Sequence, residues 1–94
     1  MMLPEEMANK RLELSEEYSR FSDEFAYHYQ LQAEFFNKNR EQHKSDNATQ
    51  KAFDATPDGV RMAILKMKLK AIEKSMSALN TALRLAENMA KNLY

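Results

Sequence analysis

The chain has 94 residues and a formal net charge of zero, with one glycine, two prolines and no cysteine. Because turns between β-strands draw heavily on glycine and proline, this composition favours an all-α fold, and the length favours one domain. The lack of cysteine excludes disulfides, thiolate nucleophiles and cysteine-ligated zinc. No apolar run reaches the roughly 18 residues that a membrane span needs, and the N-terminus lacks the basic and apolar segments of a signal peptide. We therefore expect a soluble, cytoplasmic protein without membrane contact.

The first predicted element is a long helix near residues 5–43. Pro4 suits the first turn of a helix, and Glu5 and Glu6 complement the positive charge at its N-terminal end. Apolar and aromatic residues then recur at the three- and four-residue intervals of one helix face. The residues on this face are Met7, Leu14, Tyr18, Phe21, Phe25, His28, Gln32 and Phe35.

A short second helix is predicted near residues 47–55, in the connection between two long helices. Ser45 or Asp46 can cap its N-terminus with a side-chain oxygen, and Phe53 can anchor it by burial. The strongest break in the sequence follows at residues 55–59, in the segment Ala-Thr-Pro-Asp-Gly.

The third predicted helix covers residues 57–92. Thr56 can cap it through its hydroxyl, Pro57 suits its first position, and Asp58 complements its positive end. Its apolar residues alternate intervals of three and four over four heptads, which predicts a helix even at 66–70, where lysines alternate with apolar residues. The positions of this seam are Met62, Leu65, Leu69, Ile72, Met76, Leu79, Leu83, Ala86, Ala90 and Leu93.

Apolar side chains extend beyond the seam and cover about 220° of the third helix. The additional residues are Ile64, Met67, Ala71, Ala78, Ala82, Leu85 and Met89. A two-helix hairpin buries one stripe on each helix, so the wider arc predicts burial by a third helix or by other subunits. We therefore predict a single domain over residues 1–94: a long antiparallel, coiled-coil-like helical hairpin with a short helix in the connection, which forms homo-oligomers. The predicted oligomer or partner interface comprises Tyr18, Phe21, Phe25, Tyr29, Phe36, Ile64, Met67, Leu85 and Met89.

Charge is unevenly distributed along the chain. Residues 1–59 hold 12 acidic and 7 basic side chains, whereas residues 60–94 hold 2 acidic and 7 basic ones. Five cations on the third helix fall within about 100° of each other, away from the seam, and form what we call the basic ribbon. The basic ribbon consists of Lys66, Lys70, Lys74, Arg84 and Lys91. Such a ribbon can follow a nucleic-acid backbone without reading bases. The alternative is that the two halves of the hairpin neutralise each other, with Arg61 and Lys68 as pairing partners.

Patterns for catalysis and metal binding are missing from the sequence. His28 and His43 lie fifteen residues apart and lack the spacing of a zinc motif. His28 falls on the aromatic face of the first helix, which favours packing or a subunit contact. Carboxylates such as Asp23 and Glu24 are expected on a solvated face rather than in a pocket suited to acid–base chemistry. We therefore predict a non-enzymatic protein with no cofactor, no metal and no small-molecule substrate.

The second half of the chain also carries a pattern of lysines, small residues and leucines. Its pieces are Lys68, Lys70, Glu73, Ser77-Ala78-Leu79, Leu83-Arg84 and Glu87-Asn88. In these pieces it resembles the C-terminal helix of small phage-encoded helical proteins, among them the UvsY-type recombination mediators. The resemblance implies an all-helical oligomer that binds single-stranded DNA and helps to load a recombinase in place of single-strand-binding protein. The acidic, aromatic first half has no matching motif.

Two functions are open at this point. The first is an oligomeric accessory protein in phage-type DNA recombination or replication, in the host cytoplasm if phage-encoded, whose basic ribbon binds single-stranded nucleic acid non-specifically. Its partners would be further copies of itself, single-stranded DNA, and a recombinase or single-strand-binding protein. The second is an adaptor or inhibitor that presents the first helix, with Tyr27 and Tyr29 partly exposed, to a host or phage protein without nucleic acid. A secreted helical-hairpin export substrate is disfavoured, because those proteins carry a Trp-x-Gly turn and this chain has no tryptophan.

Overall fold

A computed structural model describes residues 3–92 of the chain, and this range is almost entirely helical. Three α-helices follow one another: α1 (Pro4–Asn39), α2 (Asp46–Asp54) and α3 (Pro57–Asn92), with one 3₁₀ turn at Arg40–Gln42. No strand occurs within residues 3–92, which confirms the all-α prediction. None of these helices combines the length and apolar character needed to cross a membrane.

Helix α1 ends at Asn39, earlier than the residue 43 predicted from the sequence. The side-chain amide of Asn39 donates a hydrogen bond to the Phe35 carbonyl oxygen at 2.9 Å, so this polar side chain bonds back to the backbone of its own helix, one turn earlier. The following residues form the 3₁₀ turn, and His43 is extended. A sequence without glycine or proline in this region gives no signal for such an early end.

Helix α2 is capped at its N-terminus and anchored to α1 near its C-terminus. Ser45, rather than Asp46, provides the cap, because its Oγ accepts a hydrogen bond from the Ala48 amide at 3.2 Å. Phe53 is 2 % exposed and its ring meets the Phe35 ring edge-on, with 5.5 Å between centroids. The predicted anchoring role of Phe53 is therefore confirmed.

The join between α2 and α3 is stabilised by Thr56. Its hydroxyl oxygen accepts a hydrogen bond from the Gly59 amide at 3.1 Å and donates one to the Phe53 carbonyl oxygen at 2.6 Å. Gly59 is needed here for space rather than for an unusual backbone angle, since its φ is not positive. A Cβ at this position would overlap the Phe53 carbonyl oxygen and lie 2.7 Å from the Asp54 Cα.

Helices α1 and α3 pack side by side along most of their length. A thin layer of apolar side chains separates them, and the most buried are Met7, Leu14, Met62, Leu65 and Ile72. Hydrogen bonds at the edges of this layer join Arg11 to Asn80, Tyr18 to Glu73 and Glu24 to Arg61, so early residues of α1 lie beside late residues of α3. The molecule measures 69 × 20 × 17 Å and is only about two helices wide.

We predict that Gly59→Ala lowers the stability of the fold. The same substitution at an ordinary helix position would stabilise by about 1 kcal/mol, but overlap with the α2 backbone should reverse the sign and cost about 1–3 kcal/mol. Urea denaturation followed by circular dichroism measures the change. The control variant Ala63→Gly, at an exposed position one turn later, measures the effect of helix propensity on stability without the close contact. A more stable Gly59→Ala variant would contradict the close contact.

Candidate nucleic-acid interface

All five residues of the basic ribbon are exposed on α3. No carboxylate oxygen of residues 3–92 lies within 4.0 Å of a charged nitrogen of the ribbon. Lys66, Lys70 and Lys74 follow one another at four-residue intervals, which places their Cα atoms about 6 Å apart along the helix. The whole ribbon extends over about 38 Å. Its charges are therefore available to solvent and are arranged in a line.

The other two cations flanking the seam of α3 have contacts within the chain. Arg61 forms a two-pronged pair with Glu24: its Nη2 donates to Oε1 at 2.8 Å and its Nε donates to Oε2. Lys68 places its ammonium group 4.9 Å from the centre of the Phe21 ring, a cation–π contact rather than the predicted ion pair. The prediction of a pairing role is confirmed for Arg61, and Lys68 contacts α1 by a different interaction.

Glu24 corrects one expectation from the sequence. It is half-buried and belongs to the contact between α1 and α3, whereas its neighbour Asp23 is on the solvated face as predicted. The hydrogen bond from Arg61 lowers the pKa of the Glu24 carboxyl, against the opposing effect of its partial burial. The same bond raises the pKa of the Arg61 guanidinium.

His28 lies next to this pair. Its Nε2 is 3.7 Å from the Glu24 Oε2 and its Nδ1 is 3.2 Å from the Asp58 Oδ1, and its side chain is mostly buried. Residues 3–92 contain no cluster of three or more histidine, aspartate or glutamate side chains arranged to hold a metal ion. The arrangement joins the start of α3 to the middle of α1 and places His28 in a packed environment.

An open polar groove runs between α1 and α3 beside the ribbon. It consists of two adjoining cavities of about 660 and 460 Å³ that share Asn80 and Arg84. Arg11 of α1 reaches across to this groove, where its Nη1 donates to the Asn80 Oδ1 at 3.1 Å. The ribbon therefore has a basic neighbour on the other helix that we did not identify from the sequence. The sequence feature that could have indicated this is the position of Arg11 one heptad before Tyr18, on the same side of the helix.

Acidic residues limit the positive charge of the groove. Glu5 and Glu87 line the cavity that contains Arg11, and Glu73 lines the other. The Glu73 carboxylate accepts a hydrogen bond from the Tyr18 hydroxyl at 2.9 Å, which raises the pKa of that hydroxyl. The ribbon's only predicted internal acid is thus held toward α1. The most uniformly positive segment is the one that contains Lys66, Lys70 and Lys74.

The predicted oligomer or partner interface is divided between different surfaces. Tyr18, Phe21, Phe25 and Phe36 are half-buried. Exposed fractions are 61 % for Tyr29 and between 40 and 73 % for the predicted α3 residues. These α3 residues are Ile64, Met67, Leu85 and Met89. Within one chain, most of the aromatic residues of this interface are therefore partly packed, whereas its apolar residues on α3 remain exposed.

The two exposed tyrosines of α1 lie in different environments. Tyr29 lines a small cavity of about 280 Å³ together with Phe36 and with Gln50 of α2. Tyr27, 59 % exposed, meets the His28 ring edge-on. Their side chains point in directions about 160° apart on the helix, so they do not form one continuous aromatic surface.

Comparisons of this chain with protein-family models, with curated proteins and with solved structures give no match.

The Glu24–Arg61 pair predicts a pH-dependent contribution to stability. Because the folded-state pKa of Glu24 is lowered, its stabilisation is complete above the ordinary value of 4.5 and is lost as the pH falls through the folded-state value. We expect wild type to have a higher Tm than Glu24→Gln at pH 7, and this difference to be lost at an acidic pH below the folded-state pKa. The exposed Glu16→Gln variant should match wild type at both pH values. A difference that persists unchanged in acid would contradict the assignment.

Proposed function

We propose that the protein is a non-enzymatic, oligomeric helical accessory protein that contacts single-stranded nucleic acid through the basic ribbon. In this proposal the chain acts as an antiparallel helical hairpin, and the ribbon binds the phosphate backbone without base recognition. The observation that carries the proposal is the line of exposed cations with no carboxylate partner among residues 3–92. A role in phage-type recombination or replication, with a recombinase or single-strand-binding protein as partner, is supported only by the UvsY-like pattern of α3.

The distribution of ion pairs supports a ligand rather than internal neutralisation. If the cations of α3 served mainly to pair with the acidic α1, the ribbon would face α1 as Arg61 does. Instead, Lys66 and Lys70 lie on a different side of the helix from Arg61, and α1 carboxylates do not reach them. Exposed lysines aligned in this way lower the free energy of a bound polyanion by releasing its counterions.

The charge of the whole chain limits the strength of this binding. With a net charge of zero and an acidic first half, long-range attraction of a polyanion is weak, so contact must be local to the ribbon. Five phosphate contacts on a single strand give a slope of about −3.5 in a plot of log K against log salt concentration. Binding should therefore be measurable at low salt and weak at physiological salt.

We predict that reversing the charge of Lys66, Lys70 and Lys74 together abolishes binding of a single-stranded oligonucleotide. Fluorescence anisotropy at several salt concentrations measures the affinity. A variant in which the same three lysines are neutralised rather than reversed should keep weak binding, with a salt slope shallower by about 2. The control reverses Lys38, Lys44 and Lys51, which are also exposed and change the net charge equally. Circular dichroism checks that the variants remain helical.

Three results would overturn the electrostatic mechanism. These are no binding by wild type at 50 mM salt, binding that does not respond to salt, and equal loss of binding in the control variant.

The exposed tyrosines favour one alternative, an adaptor or inhibitor that binds another protein through the acidic, aromatic α1. A partner seated beside α2 would cover Tyr29 and its cavity. For such a partner, Tyr29→Ser should weaken binding about 30-fold or more, as expected for a tyrosine hot spot, whereas reversal of the ribbon charges should not. Calorimetry with a purified partner measures both effects. The opposite pattern would exclude this alternative.

A further inference from the structure

Helix α3 exposes a second apolar surface in addition to the face that packs on α1. We call this surface the apolar strip. It consists of Val60, Ile64, Met67, Ala71, Ala78, Ala82, Leu85 and Met89, all exposed apart from the half-buried Ala82. Met67 is the most exposed large apolar side chain among the residues that the structure describes, at 73 %. The strip is about 44 Å long and borders the basic ribbon along one edge.

The positions of the apolar strip are arranged symmetrically along the helix. Its positions are related in pairs about the peptide bond between Lys74 and Ser75. The pairs are Val60 with Met89, Ile64 with Leu85, Met67 with Ala82, and Ala71 with Ala78. Small residues lie near the centre and larger ones toward the ends. A second copy of the helix running in the opposite direction would therefore place each residue opposite its pair.

We propose that two copies of this chain pack α3 against α3 in opposite directions, about a twofold axis at the Lys74–Ser75 bond. This inference deepens the proposed function, because it gives a specific arrangement to the proposed self-association. A twofold axis is the commonest symmetry of homo-oligomers and requires a surface that is complementary to itself. The apolar strip meets this requirement, with Ala71 opposite Ala78 of the second copy allowing the helices to approach closely.

An apolar cavity lies where the proposed pair would place Met67 of the second copy. It has a volume of about 550 Å³ and is lined by Leu3, Pro4, Met7, Leu79, Ala82, Leu85, Ala86 and Met89. In the antiparallel pair, Met67 of the second copy lies opposite Ala82, at this cavity. An exposed, flexible methionine facing a small residue in an apolar recess is a knob-into-hole contact, and the symmetry produces it twice.

The area of the strip indicates a modest affinity. A contact about 44 Å long and about 10 Å wide covers on the order of 440 Å² per copy. The total is below the roughly 1,200 Å² at which standard stable interfaces begin. The cavity adds contact with the first residues of α1. We therefore expect a dimer that depends on protein concentration rather than a permanent one.

The proposed symmetry also determines where the two basic ribbons lie. Each ribbon follows one edge of its apolar strip, and a twofold axis perpendicular to the helices keeps both edges on the same side of the pair. The dimer would therefore present one wider basic surface, with Lys70 and Lys74 of both copies near the axis. Repulsion between these lysines opposes pairing, and a bound polyanion relieves it.

Disulfide trapping tests the arrangement, because the natural chain has no cysteine. We expect Ala71→Cys and Ala78→Cys to cross-link with each other when the two variants are mixed and oxidised, with a mass tag on one to identify the mixed product. Neither variant alone should cross-link efficiently. Identical positions would be offset by seven residues, about 10 Å along the helix, beyond the roughly 7 Å Cα separation that a disulfide tolerates. Ser19→Cys, exposed on α1, gives the collisional background.

Mass measurement by light scattering tests the strip independently. Met67→Glu should raise the concentration of half-dimerisation at least tenfold without loss of helicity, whereas Leu12→Glu, at an exposed site on α1, should not. A wild-type chain that stays monomeric at all concentrations would overturn the proposal and the self-association in the proposed function. Oligomers in which each single-cysteine variant cross-links with itself would overturn the antiparallel arrangement alone. The trapping is done without oligonucleotide, so failure of nucleic-acid binding does not affect the result.

Discussion

The single layer of side chains between α1 and α3 is the contact on which the rest of the structure depends. Leu65 is completely buried in it, and Leu14 and Ile72 are nearly so, but most of the circumference of each helix remains exposed. Helical stability in proteins comes mainly from the packing of one apolar face. A molecule only about two helices wide can satisfy that need along one face and leaves the other faces of the described helices exposed.

Polar contacts flank this layer and join the two helices at defined positions. The Glu24–Arg61 pair fixes one end, and the hydrogen bond from Tyr18 to Glu73 fixes the middle. The expected pairing between the two halves is therefore observed for Arg61, whereas the basic ribbon is left without carboxylate partners among residues 3–92. The side of α3 on which a cation lies decides whether it reaches a carboxylate of α1.

The helices and much of the core could be predicted because both follow from local signals. The three-and-four spacing identified the seam, and Thr56 marked the start of α3 as predicted. Other features depend on contacts between distant residues and carry no local signal. Gly59 belongs to the predicted break before α3, but only the approach of α2 explains why a glycine is necessary there. Arg11 and Glu24 look like ordinary surface residues until the register of α1 on α3 places them beside Asn80 and Arg61.

Helix α3 carries both proposed binding surfaces, and this links them energetically. The basic ribbon and the apolar strip are adjacent on one rigid helix, so pairing through the strip fixes the distance between two ribbons. If the pair binds a polyanion more tightly than the single chain does, linkage requires that the polyanion strengthen pairing by the same factor. The weak interface and the weak polyanion site would then strengthen each other. Single-stranded nucleic acid would shift assembly to lower protein concentrations, and a neutral overall charge would limit binding elsewhere.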